Sequence, residues 1–200
     1  TMDELFANLT LDSTTTIMAY DKEKGDYVEL QELYADENRV WVDLEDIPLH
    51  LQQALISIED ERFYEHNGVD WKRTIGATLN MFTSNDTYGG STITQQVIRN
   101  MTQDNQPTVH RKVREIFRAL DFDRNHSKEE TLEWYLNYIY LGENCRGVYT
   151  ASYEYFGKDV SELTLAECAS LIGITNNPSR YDPYISAENN KERQEVILTQ

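Results

Sequence analysis

From Pro48 onward apolar residues recur at three- and four-residue intervals, which predicts helices near 47–64, 70–82, 92–102, 108–123, 128–140, 145–156, 164–174 and 186–200. Three of these have explicit start signals. Ser127 with Glu130 and Thr164 with Glu167 have the spacing of capping boxes, and Ser186 is an N-cap candidate for the last segment. Upstream the pattern changes: Thr14–Tyr20, Tyr27–Leu30 and Arg39–Val42 predict short strands, the first two joined across Lys24-Gly25-Asp26. The predicted class is mainly α with a short β lead-in, and the sequence has no internal repeat and no low-complexity tract.

The first helical segment ends on chemistry. Leu51, Ala54, Leu55 and Ile58 follow an i, i+3, i+4, i+7 pattern, so the helix can bury that stripe and bring Glu59 out beside it, partly desolvated. A carboxylate in such a setting can act as a proton acceptor near neutral pH. The same residues also suit a plain acidic helix end in solvent. A second motif, Gly89-Gly90-Ser91-Thr92-Ile93-Thr94-Gln95-Gln96, gathers glycines, hydroxyls and amides of the kind that approach and bind a sugar or phosphate. Thr92 and Gln95 also fit a capping box, which leaves Gly89, Gly90 and Gln96 unexplained. A third, Arg111-Lys112-Val113-Arg114-Glu115, puts Arg111, Glu115 and Arg118 on one helix face, where an i, i+4 surface ion pair is the simpler reading.

Charge changes the picture. The net charge of −17 excludes a nucleic-acid binder, which needs clustered cations. The acidity is uneven, however: residues 89–124 hold six bases (Arg99, Arg111, Lys112, Arg114, Arg118, Arg124) against four acids. A locally positive site on an acidic protein suits an enzyme that binds an anionic substrate group. Two hundred residues suit one domain, and acidic or basic residues interrupt every long apolar window, so neither a membrane span nor a signal-peptide core is present. Cys145 and Cys168 are either a pair or two buried thiols, and the four histidines are too scattered for a zinc set.

In this order and spacing the three motifs resemble the peptidoglycan glycosyltransferase domain of class A penicillin-binding proteins (family 51 glycosyltransferases). The resemblance continues through Lys128–Asn137 and through Arg146–Ala151 with Tyr155–Lys158, and covers roughly residues 40–184. It implies a lysozyme-like helical domain over residues 46–200, with a small mobile lobe at about 70–90 that meets the membrane surface through 70–87. Residues 1–45 would link the domain to a membrane anchor outside this chain, and the family's transpeptidase domain would also lie outside it. The 70–82 helix taken alone also suits an ordinary core helix.

The implied reaction joins two molecules of lipid II at the extracytoplasmic face of the bacterial cell membrane, among other cell-wall synthesis proteins. The 4-hydroxyl of the acceptor's N-acetylglucosamine attacks the anomeric carbon of the donor's N-acetylmuramic acid, with inversion and release of undecaprenyl pyrophosphate, and the growing glycan chain stays as a partner. Carried over by position, Glu59 is the base and Glu115 the second essential acid, placing cations or a divalent metal (Mg or Mn) on the pyrophosphate. Arg99, Arg111 and Lys112 match positions near that pyrophosphate. Ser91, Thr92, Gln95 and Gln96 would line the cleft, and Asp60 would orient the acceptor or hold the fold. Phe63, His66, Gly68, Gly90, Asn137, Arg146 and Gly147 match scaffold positions.

Departures from the family pattern are few. Arg99 replaces the usual Lys, Pro107 stands where a basic residue is frequent, and Arg146 precedes Gly147 in place of an aromatic or small residue. Two other readings compete. A lysozyme-like hydrolase would use the same pair of glutamates but has no pyrophosphate to neutralise, which the cation-rich region argues against. A silent scaffold module would not need both acids.

Overall fold

The computed structural model describes residues 15–21, 26–33, 40–83, 89–104 and 106–200, with side chains from 40 to 77 and from 89 onward. The predicted Lys24-Gly25-Asp26 turn falls largely outside these residues, as do residues 84–88 of the expected lobe. The chain is mainly α-helical. A hairpin of β1 (Thr15–Asp21) and β2 (Asp26–Leu33) pairs antiparallel from Thr15 opposite Leu33 to Asp21 opposite Asp26, with an irregularity between Ile17 and Met18. The strand expected at 39–42 is absent from the described part of that stretch, residues 40–42. Val42 instead exchanges two hydrogen bonds with the buried Asn137 side chain, donating to Oδ1 at 2.9 Å and accepting from Nδ2 at 2.8 Å.

Nine α-helices follow among the described residues: α1 (Leu49–Glu59), α2 (Trp71–Thr83), α3 (Ile93–Thr102), α4 (Val109–Asn125), α5 (Lys128–Tyr138), α6 (Val148–Phe156), α7 (Leu165–Ile174), α8 (Pro178–Tyr181) and α9 (Ala187–Leu198). Both predicted capping boxes form, at Ser127 and Thr164, and Ser186 accepts from the Asn189 N–H. The short α8 and two 3-10 turns at Leu44–Asp46 and Val160–Glu162 are additions to the predicted set.

α3 is the central helix, packed between α4 and α5, while α7 takes α1 on one side and α9 on another. Ile93, Val97, Ile98 and Met101 of α3 join Leu51 and Leu55 of α1, Phe122 of α4, Leu132 and Leu136 of α5 and Leu171 of α7 in one buried cluster. Each such side chain stabilises the fold by about 1.5–3 kcal/mol of burial. Seven of the ten residues of α3 are buried, three of them polar: Thr94, Gln95 and Gln96. Buried polar side chains on a central helix must find partners. Two glycines permit close approaches. Gly68 has φ +80° and lies where a Cβ would sit 2.4 Å from the Ala119 carbonyl oxygen of α4, and Gly147 has φ +80° with its Cα facing the Asn137 carbonyl.

Cys145 and Cys168 are both free and buried, and burial pushes each thiol up to about 11.

Candidate active site

α1 stops at Glu59, five residues short of the predicted end. Asp60 leaves the helical region at φ −159°, and the chain then turns through 61–68. The stop is made by tertiary bonds. Asp60 is completely buried, and its carboxylate accepts from the Ile93 N–H at the start of α3 (3.0 Å) and from His66 Nε2 (2.9 Å). Because an ionised carboxylate only accepts, Nε2 is the protonated nitrogen of His66. The carboxylate also sits at the positive end of the α3 dipole. Asp60 thereby ties the first motif to the second, its buried oxygens engaged by Ile93 and His66.

The 61–70 loop is held from several sides. Arg62 grips Asp70 through Nε at 3.0 Å and Nη2 at 2.7 Å, and Asp70 caps α2 by accepting from the Arg73 N–H. Burial acts to raise the Asp70 carboxyl, but the Arg73 and Arg62 hydrogen bonds outweigh it and hold the group below its usual range. Phe63 is fully buried, and Lys128 lies 4.8 Å from its ring centre while donating to the His66 carbonyl and to Asp123.

Glu59, half-buried, projects between helices. Its Oε2 accepts from Gln96 Nε2 of α3 at 2.9 Å, and its Oε1 faces the Thr175 hydroxyl just after α7 at 3.3 Å. Its carbonyl accepts from Arg73, which also donates to the Gly89 carbonyl at 2.7 Å. Tyr135 of α5 donates to Gln96 Oε1 at 3.3 Å. Burial first, then the charge of Glu59, push the Tyr135 hydroxyl well above the usual tyrosine range, against the opposing effects of Arg99 and a hydrogen bond with Thr175. Tyr135 therefore stays protonated and remains a donor to Gln96.

The second motif divides. Thr92 and Gln95 are fully buried in a capping box, with Thr92 also donating to the Gly68 carbonyl at 2.6 Å. The capping box engages Thr92 Oγ1 and Gln95 Oε1, while the buried Gln95 Nε2 has no hydrogen-bond partner among the described residues. Ser91 and Gln96 do reach functional groups, Ser91 accepting from Lys112 Nζ at 2.7 Å. Gly90 packs where a Cβ would meet Ala77 of α2.

The third motif is more than a surface ion pair. Glu115 is 4 % exposed and accepts from Arg111 on one oxygen and from Lys112 on the other. Ion pairs at this depth need full hydrogen bonding, and here both oxygens are engaged. Arg99 lies beside this cluster, lining a small crevice with Arg111, Glu115, Arg118, Thr102 and Asp104. Gln96 and Arg99 are three residues apart on α3, so they share a face about 4.5 Å apart along the axis. The carboxylate and the cations thus flank the same helix. A separate cavity of about 370 Å³ beside Arg62, His66, Asp70 and Trp71 includes neither Glu59 nor the cation cluster.

The donor set does not fit a divalent cation. Both Glu115 oxygens are held by cations, and among the described residues no group of three or more His, Cys, Asp or Glu side chains could hold a metal. Arg146 stacks over Tyr140 at 5.6 Å, and Asn137 and Gly147 pack against each other, all within the scaffold. Tyr135, Thr175 and Arg73 are the functional neighbours that sequence reasoning did not single out. Tyr135 lies inside the Lys128–Asn137 stretch of the resemblance, whereas nothing local marks Thr175.

A family model described as Transglycosylase matches residues 26–200. The chain belongs to the transglycosylase family. Among its relatives are "Penicillin-binding protein 1A" of Clostridium botulinum (strain Hall / ATCC 3502 / NCTC 13319 / Type A), 41% identical over 184 residues covering 90% of this chain and 22% of that protein. "Penicillin-binding protein 2D" of Bacillus subtilis (strain 168) is 42% identical over 175 residues, covering 87% of this chain and 25% of that protein. The transglycosylase thus spans about a quarter or less of these relatives' length. A crystal structure of "Penicillin-Binding Protein 1A from Haemophilus influenzae" aligns with TM-score 0.48 at 23% identity, over 94% of this chain and 18% of that one. Family membership makes this a peptidoglycan glycosyltransferase domain of the class A penicillin-binding protein kind. No helix among the described residues of the transglycosylase is long and apolar enough to cross a membrane.

Proposed function

We propose that this chain polymerises lipid II into glycan strands, with Glu59 as general base and Arg99, Arg111 and Lys112 receiving the pyrophosphate. The observation that carries the reading is the placement of Glu59, bound to Gln96, one helical turn along α3 from a cation cluster organised by the buried Glu115. An attacking hydroxyl is a weak nucleophile, and a positioned base contributes about 100- to 10,000-fold. The carboxylate takes the acceptor's proton as the new bond to the donor's anomeric carbon forms on the face opposite the leaving group, inverting the α-linkage to β. Charge then develops on the departing undecaprenyl pyrophosphate, where fixed cations stabilise it with little reorganisation. Glu115 keeps Arg111 and Lys112 aimed, and Ser91 anchors Lys112 from the loop before α3.

In this reading the domain is a lysozyme-like helical unit with a mobile lobe near residues 70–90. Trp71 and Ile75 are exposed on α2, 52% and 57%, one turn apart beside Lys72 and Arg73. Apolar residues flanked by cations suit a lipid–water interface. The lobe and an upstream anchor would hold the enzyme at the extracytoplasmic face of the membrane, where lipid II, the growing glycan and other cell-wall synthesis proteins meet.

The test is incubation of the protein with lipid II and separation of the products by size. Glycan polymer with released undecaprenyl pyrophosphate is expected. Fragmentation of preformed glycan without polymer would favour the hydrolase, and an inert chain the scaffold module.

A further inference from the structure

We infer that Thr175, immediately after α7, is a positioning residue that holds Glu59 through both of its protonation states. The inference rests on Glu59 as the base of glycosyl transfer. The two oxygens of that carboxylate are held in different ways. Oε2 meets the Gln96 amide nitrogen at 2.9 Å, a group that can only donate. The amide cannot turn over freely, because the Tyr135 hydroxyl donates to its other end at 3.3 Å. Oε2 is therefore committed to accepting.

Oε1 meets a different chemistry. Thr175 Oγ1 stands 3.3 Å from it and 2.8 Å from the Ile172 carbonyl oxygen, with the Tyr135 hydroxyl as a further neighbour. The hydroxyl has one hydrogen and can serve one acceptor at a time, but its oxygen can also accept. While Glu59 is ionised, the Thr175 O–H points at Oε1 and the charge is held from both ends. When the acceptor sugar's proton has moved to Oε1, the Thr175 hydrogen turns to the Ile172 carbonyl, and its oxygen accepts from the new Glu59 O–H. The step balances without further reactants: the electron pair of the acceptor's O–H bond is freed for the new carbon–oxygen bond, and the pair of the donor's carbon–oxygen bond leaves with the pyrophosphate. Thr175 only rotates, so no heavy atom moves between the two states. An apolar residue of the same shape would leave Oε1 without a partner in both, and a fixed donor would oppose protonation there.

The test compares Thr175→Val, Thr175→Ser and Glu59→Gln in lipid II polymerisation. Thr175→Val should lower kcat about tenfold, the scale of a lost hydrogen bond to a charged group, with KM for lipid II within about twofold of wild type. Thr175→Ser should restore kcat to within about threefold, because rotation and both hydrogen-bonding roles survive. Should the Val protein not fold, judged by its melting transition, Thr175→Ala carries the same comparison. Wild-type kcat in the Val or Ala protein, a Ser protein as slow as Val, or a loss confined to KM would each overturn the inference. Glu59→Gln separates the two layers: an inactive Gln protein beside an unimpaired Val protein refutes the role of Thr175 alone, whereas an active Gln protein refutes the base and Thr175 with it.

Discussion

The Gln96 amide donates to Glu59 Oε2 at 2.9 Å, linking residues 37 positions apart in the chain. That bond joins the end of α1 to the central helix α3, seven of whose ten residues are buried, and Gln96 is itself fixed by Tyr135. A carboxylate held this way loses little further freedom when substrate arrives, which is the advantage of a preorganised base.

Glu59→Gln keeps the shape of the side chain and removes its basicity. Polymerisation should fall to below about a tenth of wild type, given the usual size of general-base effects, while donor binding and the melting temperature change little. Steady-state turnover of lipid II beside a binding measurement checks this. Activity above that level would remove Glu59 as the base.

Much of this geometry was legible in the sequence, for identifiable reasons. The starts of α5, α7 and α9 are local events, written by Ser127, Thr164 and Ser186 within one turn of the helix they begin. The end of α1 is not local. Glu59-Asp60-Glu61-Arg62 is compatible with continued helix, and the stop depends on Asp60 reaching His66 and Ile93. The same limit applies to the site. Glu59, Gln96, Arg111 and Glu115 stood in motifs, whereas Thr175 meets Glu59 across 116 residues with no pattern around it. Thr92 and Gln95 show a further limit: a capping box and a ligand-binding loop use the same residue types, and the sequence alone does not separate the two.

Glu115→Gln tests the cation cluster. Loss of the charge leaves Arg111 and Lys112 with a neutral amide between them and weakens two charge-assisted hydrogen bonds. Affinity for undecaprenyl pyrophosphate should fall about tenfold, measured by titration calorimetry, alongside a loss of turnover. Unchanged pyrophosphate binding would show that Glu115 does not place those cations. Arg99→Lys should retain most activity and Arg99→Ala should not, because the crevice chiefly requires charge; equal losses would point to a two-pronged guanidinium contact.

Gly68→Ala should destabilise the fold by about 2–4 kcal/mol through positive-φ strain and overpacking. The added methyl would lie 2.4 Å from the Ala119 carbonyl oxygen, a backbone atom that cannot rotate aside, at φ +80°. Thermal unfolding should register this as a fall of roughly 4–16 °C for a domain of this size. Because the Gly68 carbonyl also accepts from Thr92, turnover should fall with stability as the start of α3 shifts.

The Lys158–Glu167 pair predicts an acid limb in stability. Burial acts to raise the Glu167 carboxyl, but hydrogen bonds from Lys158 and Thr164 prevail and hold it at about 2. A depressed carboxyl stabilises the fold fully above its unfolded value near 4.5 and loses that contribution as pH falls toward about 2. With the pair partly exposed to solvent, the contribution is about 1 kcal/mol. Lys158→Met should therefore lower stability at pH 7 by roughly that amount and by much less at pH 2, read from denaturant unfolding at each pH.

The exposed pair Trp71 and Ile75 gives the last prediction. Both side chains face solvent on the first turns of α2, next to Lys72 and Arg73, and removal of exposed side chains costs a fold little. If this face meets the lipid, Trp71→Ser with Ile75→Ser should weaken binding to anionic lipid vesicles and slow turnover more on lipid II with its full polyprenyl chain than on a short-chain analogue. The melting temperature should stay within about 3 °C of wild type, as a surface change of under 1 kcal/mol implies for this chain length. Arg73 is left in place because it holds the Glu59 carbonyl, so a loss of turnover cannot arise from a displaced base. Equal losses on the two substrates, or a large fall in melting temperature, would make these residues part of the folded core and end the membrane-lobe reading.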